Sequence, residues 1–236
     1  MTPRRSSRWI ALLVVATGVV LVGASLADQT QPTFDPGNFV AGVNHPFFPL
    51  QPGKTFHYTA QTADGTETEE MTVTNETKSI MGVSAMVVHD QVFLNGSLTE
   101  DTFDWYAQDR QGNVWYLGED SRQFENGRQV GNEGSWEAGR QGAAAGVVML
   151  ADPQNGDSYA QENAPGIAED MAKVSSLKSV ESVPYGTFSD LLETMEWSAL
   201  NPGGKEHKFY ARGIGLILEV SPKGGKERNE LTSITP

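Results

Sequence analysis

The chain has 236 residues, enough for one ordinary domain or at most two small ones, and it contains no cysteine. That excludes disulfides, thiolate metal sites, a cysteine nucleophile and a lipid anchored on cysteine. Its 17 Lys and Arg stand against 30 Asp and Glu, a formal charge of −13, so nucleic acid and anionic membrane surfaces are excluded as natural partners, while cations, cationic partners or plain solubility are not.

Arg4, Arg5 and Arg8 precede an apolar run from Trp9 to Leu26, and Ser25 and Ala27 put small residues where a signal peptidase cleaves. Residues 1–27 are expected to be a signal peptide. The run is long enough for an uncleaved anchor to compete, and the paired arginines leave twin-arginine export open beside the general route. Cleavage would remove three arginines and no acid, taking the charge from −13 to −16. The expectation is a secreted or periplasmic, cell-envelope protein with no stable membrane anchor after cleavage.

Residues 28–53, with prolines at 32, 36, 46, 49 and 52, should form an extended lead-in, with the apolar patch Asn44–Leu50 packed across one end of the domain. An antiparallel β domain is then expected over 54–236. Asp64-Gly65 marks a tight hairpin turn that would oppose Tyr58 to Met71 and Phe56 to Val73. Ser84–Leu94 is β-branched and ends in Asn95-Gly96, another strand and turn.

Leu98–Asp120 is expected to be the central hairpin. Asp109 to Asn113 fits a three-residue loop with Gly112 in the left-handed position. That register makes Tyr106 and Tyr116 cross-strand neighbours. It also places Phe103, Trp105, Ala107, Trp115 and Leu117 on one face, taken as core. Asp104, Tyr106, Tyr116 and Asp120 fall on the other, taken as outward. Beyond it, 119–146 reads as short strands and loops around Trp136, and 168–181 reads as strand. The stretch 189–200 is ambiguous: Thr187 with Asp190 suggests a helix cap, whereas Met195, Trp197 and Ala199 alternate as in a strand. A turn is expected at Asn201–Gly204, followed by strands over 206–212 and 214–220 and a closing strand over 227–234. The fold class is mainly β: one antiparallel meander curled into a half barrel or sandwich.

The bend Val183-Pro184-Tyr185-Gly186-Thr187-Phe188, the strand carrying Trp197 and the ending Phe209-Tyr210-Ala211-Arg212-Gly213-Ile214-Gly215-Leu216-Ile217 resemble the C-terminal part of a group of exported bacterial proteins of unknown function. The hairpin Asp104-Trp105-Tyr106-Ala107-Gln108-Asp109 with Gly112-Asn113-Val114-Trp115-Tyr116 also looks like an element of secreted bacterial proteins. In fold such proteins are similar to periplasmic lipoprotein carriers, and the resemblance implies a half barrel around an apolar cavity. It implies no catalytic residues, and a lipid or other apolar small molecule only by analogy.

None of the remaining constellations specifies chemistry. His45, His57, His89 and His207 lack ligand spacing, and no nucleophile, zinc or phosphate-loop motif is present. Paired carboxylates alone do not make a glycosidase, because their separation decides the mechanism. The expectation is a monomeric, non-catalytic binding or carrier module with no cofactor. Its apolar ligand would lie against Phe103, Trp105, Trp115, Leu117, Trp197 and Phe209. The alternatives are a divalent-cation protein holding calcium through Asp104 and Asp120, and an envelope interaction protein with no small ligand.

Overall fold

Turn residues at short intervals, with apolar and polar side chains alternating between them, let each strand pair with the one that follows it. The structure, a computed structural model, describes residues 31–221 and 227–236; the expected signal peptide lies outside these. The lead-in contains a 3₁₀ turn at Pro36–Asn38 and two short strands, β1 (Val43–His45) and β2 (Phe48–Leu50). The sheet is built from β3 (Thr55–Thr62), β4 (Gly65–Ile80), β5 (Val83–Leu94), β6 (Ser97–Gln108) and β7 (Val114–Glu125), then the short β8 (Arg128–Gly131), β9 (Trp136–Glu137), β10 (Gly146–Met149) and β11 (Ser158–Ala160). It is completed by β12 (Asp170–Val183), β13 (Gly186–Ser198), β14 (Asn201–Ala211), β15 (Gly215–Ser221) and β16 (Glu227–Thr235). No helix among the described residues is long and apolar enough to cross a membrane.

From β3 the chain steps outward through β4, β5, β6 and β7 to β10; from β11 it returns through β12, β13, β14 and β15 to β16, which pairs with β3. The ladders are antiparallel throughout, and β8 and β9 are additions along β7. The sheet curls until its two ends, β10 and β11, come together. Ala144 and Asn163 make an isolated bridge there. Beside it the Gly146 backbone lies so close to Gln161 that a Cβ would sit 1.9 Å from the Gln161 carbonyl oxygen. No ladder joins β10 to β11, so the result is an open, curled antiparallel sheet and not a closed barrel. The expected fold class stands.

Local registers differ from expectation in three places. The β3–β4 loop is Ala63-Asp64, with Phe56 opposite Met71 and Tyr58 opposite Glu69. The slide is two residues, so every side chain keeps its face, but Glu67 and Glu69 become the inward continuation of the apolar row. The ambiguous stretch is strand β13, and the reversal after it falls at Ala199-Leu200, with Ser198 opposite Asn201, not at 201–204. The third difference, in β7, shapes the site.

Candidate functional site

The β6–β7 register near its turn is the expected one: Ala107 opposes Trp115 and Tyr106 opposes Tyr116. The two tyrosine rings stack with centroids 4.8 Å apart. One residue further the ladder breaks, and Asp104 opposes Glu119. The extra residue is absorbed at Gly118, whose φ of +125° and the Trp136 carbonyl oxygen, 2.2 Å from where a Cβ would stand, leave no room for a side chain. A bulge exchanges the faces of everything beyond it. Glu119 therefore joins Asp104 and Tyr116, whereas Asp120, expected there, opposes Phe103 and pairs with the Arg122 guanidinium.

The face carrying Glu100, Thr102, Asp104 and Tyr106 is the concave one. It lines a cavity of about 180 Å³ together with Glu69 of β4, Asp90 of β5, Tyr116 and Glu119 of β7, Lys208 and Tyr210 of β14, and Leu216 and Glu219 of β15. The β1–β2 hairpin closes one end with Phe48, Pro49 and Leu50. Phe48 packs on Tyr106, centroids 5.2 Å apart. The hairpin is held by the Gly213 amide donating to the Pro46 carbonyl at 2.7 Å and by Gln108 and Asn44, whose side-chain amides join at 2.8 Å.

The expected assignment of faces is thus inverted. Tyr106, Tyr116 and Asp104 point inward. None of Phe103, Trp105, Trp115, Leu117, Trp197 and Phe209 lines the cavity. Phe103 stacks on His89 at 4.3 Å, and Trp105 lies under the Lys78 ammonium, 3.1 Å from the ring centroid. Trp115 is wrapped by Phe34 and Phe39 of the lead-in. Leu117 is fully buried, Trp197 is half-buried on β13 beside the inward Glu196, and Phe209 is buried between the inward Lys208 and Tyr210. These side chains are core or its outer cover. The convex face is covered as well, Trp115 by Phe34 and Phe39 of the lead-in and Trp105 by the Lys78 side chain. The proposed calcium pair, Asp104 and Asp120, is divided between opposite faces. Among the described residues no group of three or more His, Asp or Glu is placed to hold a metal ion.

Among the described residues the cavity wall carries seven carboxyl side chains and one ammonium, Lys208. At its centre the Tyr116 hydroxyl lies 2.5 Å from Asp104 Oδ1 and 2.7 Å from Glu119 Oε2. A phenol has one proton and can donate to only one of them, so the other short contact needs a proton on a carboxyl group. Burial pushes the Asp104 carboxyl up from its ordinary 3.8 to about 7, against the lowering effect of the Tyr116 hydrogen bond. Burial and the neighbouring Asp104 charge raise Glu119 well above its usual range. Burial with the Asp170 and Glu119 charges does the same to Glu162.

A second cluster surrounds Lys208, whose Nζ lies 3.0 Å from Glu196, 3.4 Å from Glu206 and 3.9 Å from Glu219. Burial opposes the charge on Lys208, but these carboxylates hold it well above its usual value. Glu196, with no exposed surface, also accepts from Thr194 Oγ1 at 2.7 Å and from Gln161 Nε2 at 3.1 Å. Glu69, Glu119, Glu196 and Lys208 were absent from the expected site. In sequence they read as the polar half of an alternating strand, and only Gly118 and the interrupted apolar row of β4 hint otherwise.

No family model matches the chain, and no curated protein matches it. One solved structure, of a protein described as a "putative lipoprotein" from Parabacteroides distasonis, covers 84% of this chain and 99% of its own at 11% identity and a TM-score of 0.42. At that distance neither function nor family carries over. The expected curled sheet is supported by the architecture itself and not by a named family.

Proposed function

We propose that the protein is an exported, non-catalytic binding or carrier module whose cavity takes a small, partly apolar molecule. The observation that carries this is the cavity of about 180 Å³ between the two halves of the curled sheet, walled by Phe48, Phe56, Met71, Val148 and Leu216 as well as by acids. A recess of this kind beneath a packed β1–β2 hairpin is what a ligand site needs, because binding buries apolar surface at roughly 25 cal/mol per Å². The interior acids change the ligand from the purely apolar one expected of a tryptophan-lined trough to one with a polar end. Export is supported by the basic start and apolar run of residues 4–26.

The test is occupancy. Native mass spectrometry and solvent extraction of the purified chain should show a co-purifying small molecule, or the protein should bind 1-hexanol or 2-phenylethanol. Leu216→Trp, which fills the cavity from β15, should abolish either. A protein that binds neither, or binds both unchanged in the Leu216→Trp variant, has no ligand cavity in use.

A further inference from the structure

We infer that the molecule this cavity accepts is a small organic cation: an alkylamine or arylalkylamine with its ammonium at Asp104 and Glu119 and its apolar body against Phe48, Phe56 and Leu216. This rests on the cavity-binding reading above and adds the charge of the ligand.

Three observations lead to it. The first is the imbalance of seven carboxyl groups against one ammonium on the wall, with Lys208 already engaged by Glu196, Glu206 and Glu219. The second is Tyr116, whose single proton faces two carboxyl oxygens. The third is independent of the acids. Gln161 lines the cavity and is 4% exposed. Its Nε2 donates to Glu196, and its Oε1 is buried with no donor among the described residues. Buried carbonyl oxygens are ordinarily satisfied, so an unmatched acceptor in a cavity already rich in acceptors marks a place for a donor. An ammonium brings three donors and no acceptor. An inorganic divalent cation fits less well: calcium takes about 6–8 oxygens in one compact shell, and the described residues contain no such cluster.

Binding is then an exchange of charge. The ammonium enters, a carboxyl proton of the Asp104–Tyr116–Glu119 group leaves to solvent, no other bond changes, and the net charge of the cavity is constant. The groups facing that exchange are Glu100 on the same strand, Glu69 on β4, Asp90 on β5 and Lys208 on β14, with Glu162 and Asp170 acting on it from the β11–β12 side.

The experiment is calorimetric titration of the full chain near neutral pH with hexylamine and 2-phenylethylamine, against 1-hexanol, 2-phenylethanol and calcium chloride. The amines are expected to bind at least about tenfold tighter than their alcohols. Buffers of different ionisation enthalpy should reveal about one proton released per amine and none per alcohol. Asp104→Asn with Glu119→Gln should erase the preference for amines over their alcohols, and Gln161→Met should weaken the amines several-fold. If the double variant does not fold, proton release by the wild type and the Gln161→Met variant decide the matter. Alcohols binding as well as amines would overturn the cation while leaving the cavity reading intact. Calcium displacing the amines would assign the acids to an inorganic ion and overturn it too. No binding of any probe would overturn both.

Discussion

The β6–β7 hairpin holds two sets of buried acids that differ in one respect. At its turn, Asp109 accepts four hydrogen bonds: Gly112 N and Asn113 N at 2.9 Å on one oxygen, Asn113 Nδ2 and Trp115 Nε1 at 2.8 Å on the other. A few residues along, Asp104 and Glu119 share a single phenol proton. Asp109 and Asp104 are both buried, and both sites carry carboxyl groups. The first has a donor for every contact, so its charge is a structural asset that pins the turn. The second is short of donors, so it must hold protons or await a cation. Donor supply, and not burial, separates the acid that builds the fold from the acids proposed to bind.

The largest expected effect comes from breaking the satisfied site. Asp109→Ala strands the Asn113 and Trp115 donors in the core and should cost about 3–5 kcal/mol in urea unfolding; a loss below about 1 kcal/mol would show the four bonds to be incidental. The donor-poor site is tested by pH. Because the folded value of Asp104, about 7, exceeds its ordinary 3.8, the native state binds more protons than the unfolded chain between those values. The stability it contributes is full below the lower value and is lost as pH rises through the upper one, and Glu119 and Glu162 act in the same direction. Without ligand, stability should fall by roughly 4 kcal/mol from about pH 4 to about pH 8 through Asp104 alone, and Asp104→Asn should flatten the slope. A profile rising over that range would remove the contrast between the two sites. The smallest effect belongs to Asp120, which the bulge sends outward to a half-exposed pair with Arg122. Asp120→Ala should change stability by less than about 0.5 kcal/mol and leave ligand binding untouched.

The strands, the three-residue turn and the Tyr106–Tyr116 pairing were legible in the sequence because alternation and turn chemistry are local. What was not legible was which face of the hairpin looks inward. Tryptophans on one side and acids on the other ordinarily mean core and solvent. Here the lead-in places Phe34 and Phe39 over Trp115, so the aromatic face is covered from outside, and nothing local to the hairpin announces that cover. The site acids were hidden for a second reason. Glu119 reaches the cavity only through the bulge at Gly118, and a lone glycine inside a strand is a faint local hint of that bulge.

The order of the strands has a consequence for assembly. Neighbours in the main run of the sheet are close in the chain except at one seam, where β3 meets β16 through pairs such as Ala60 with Asn229. Each half, β3 to β10 and β11 to β16, can zip locally, while the seam must bring together segments some 170 residues apart and so forms late and slowly. The cavity wall draws on both halves, Glu69 and Asp104 from one, Lys208 and Leu216 from the other. A pocket so divided does not exist until the seam has closed. Any occupant therefore binds only the finished sheet, and its affinity adds directly to the resistance of that seam to opening.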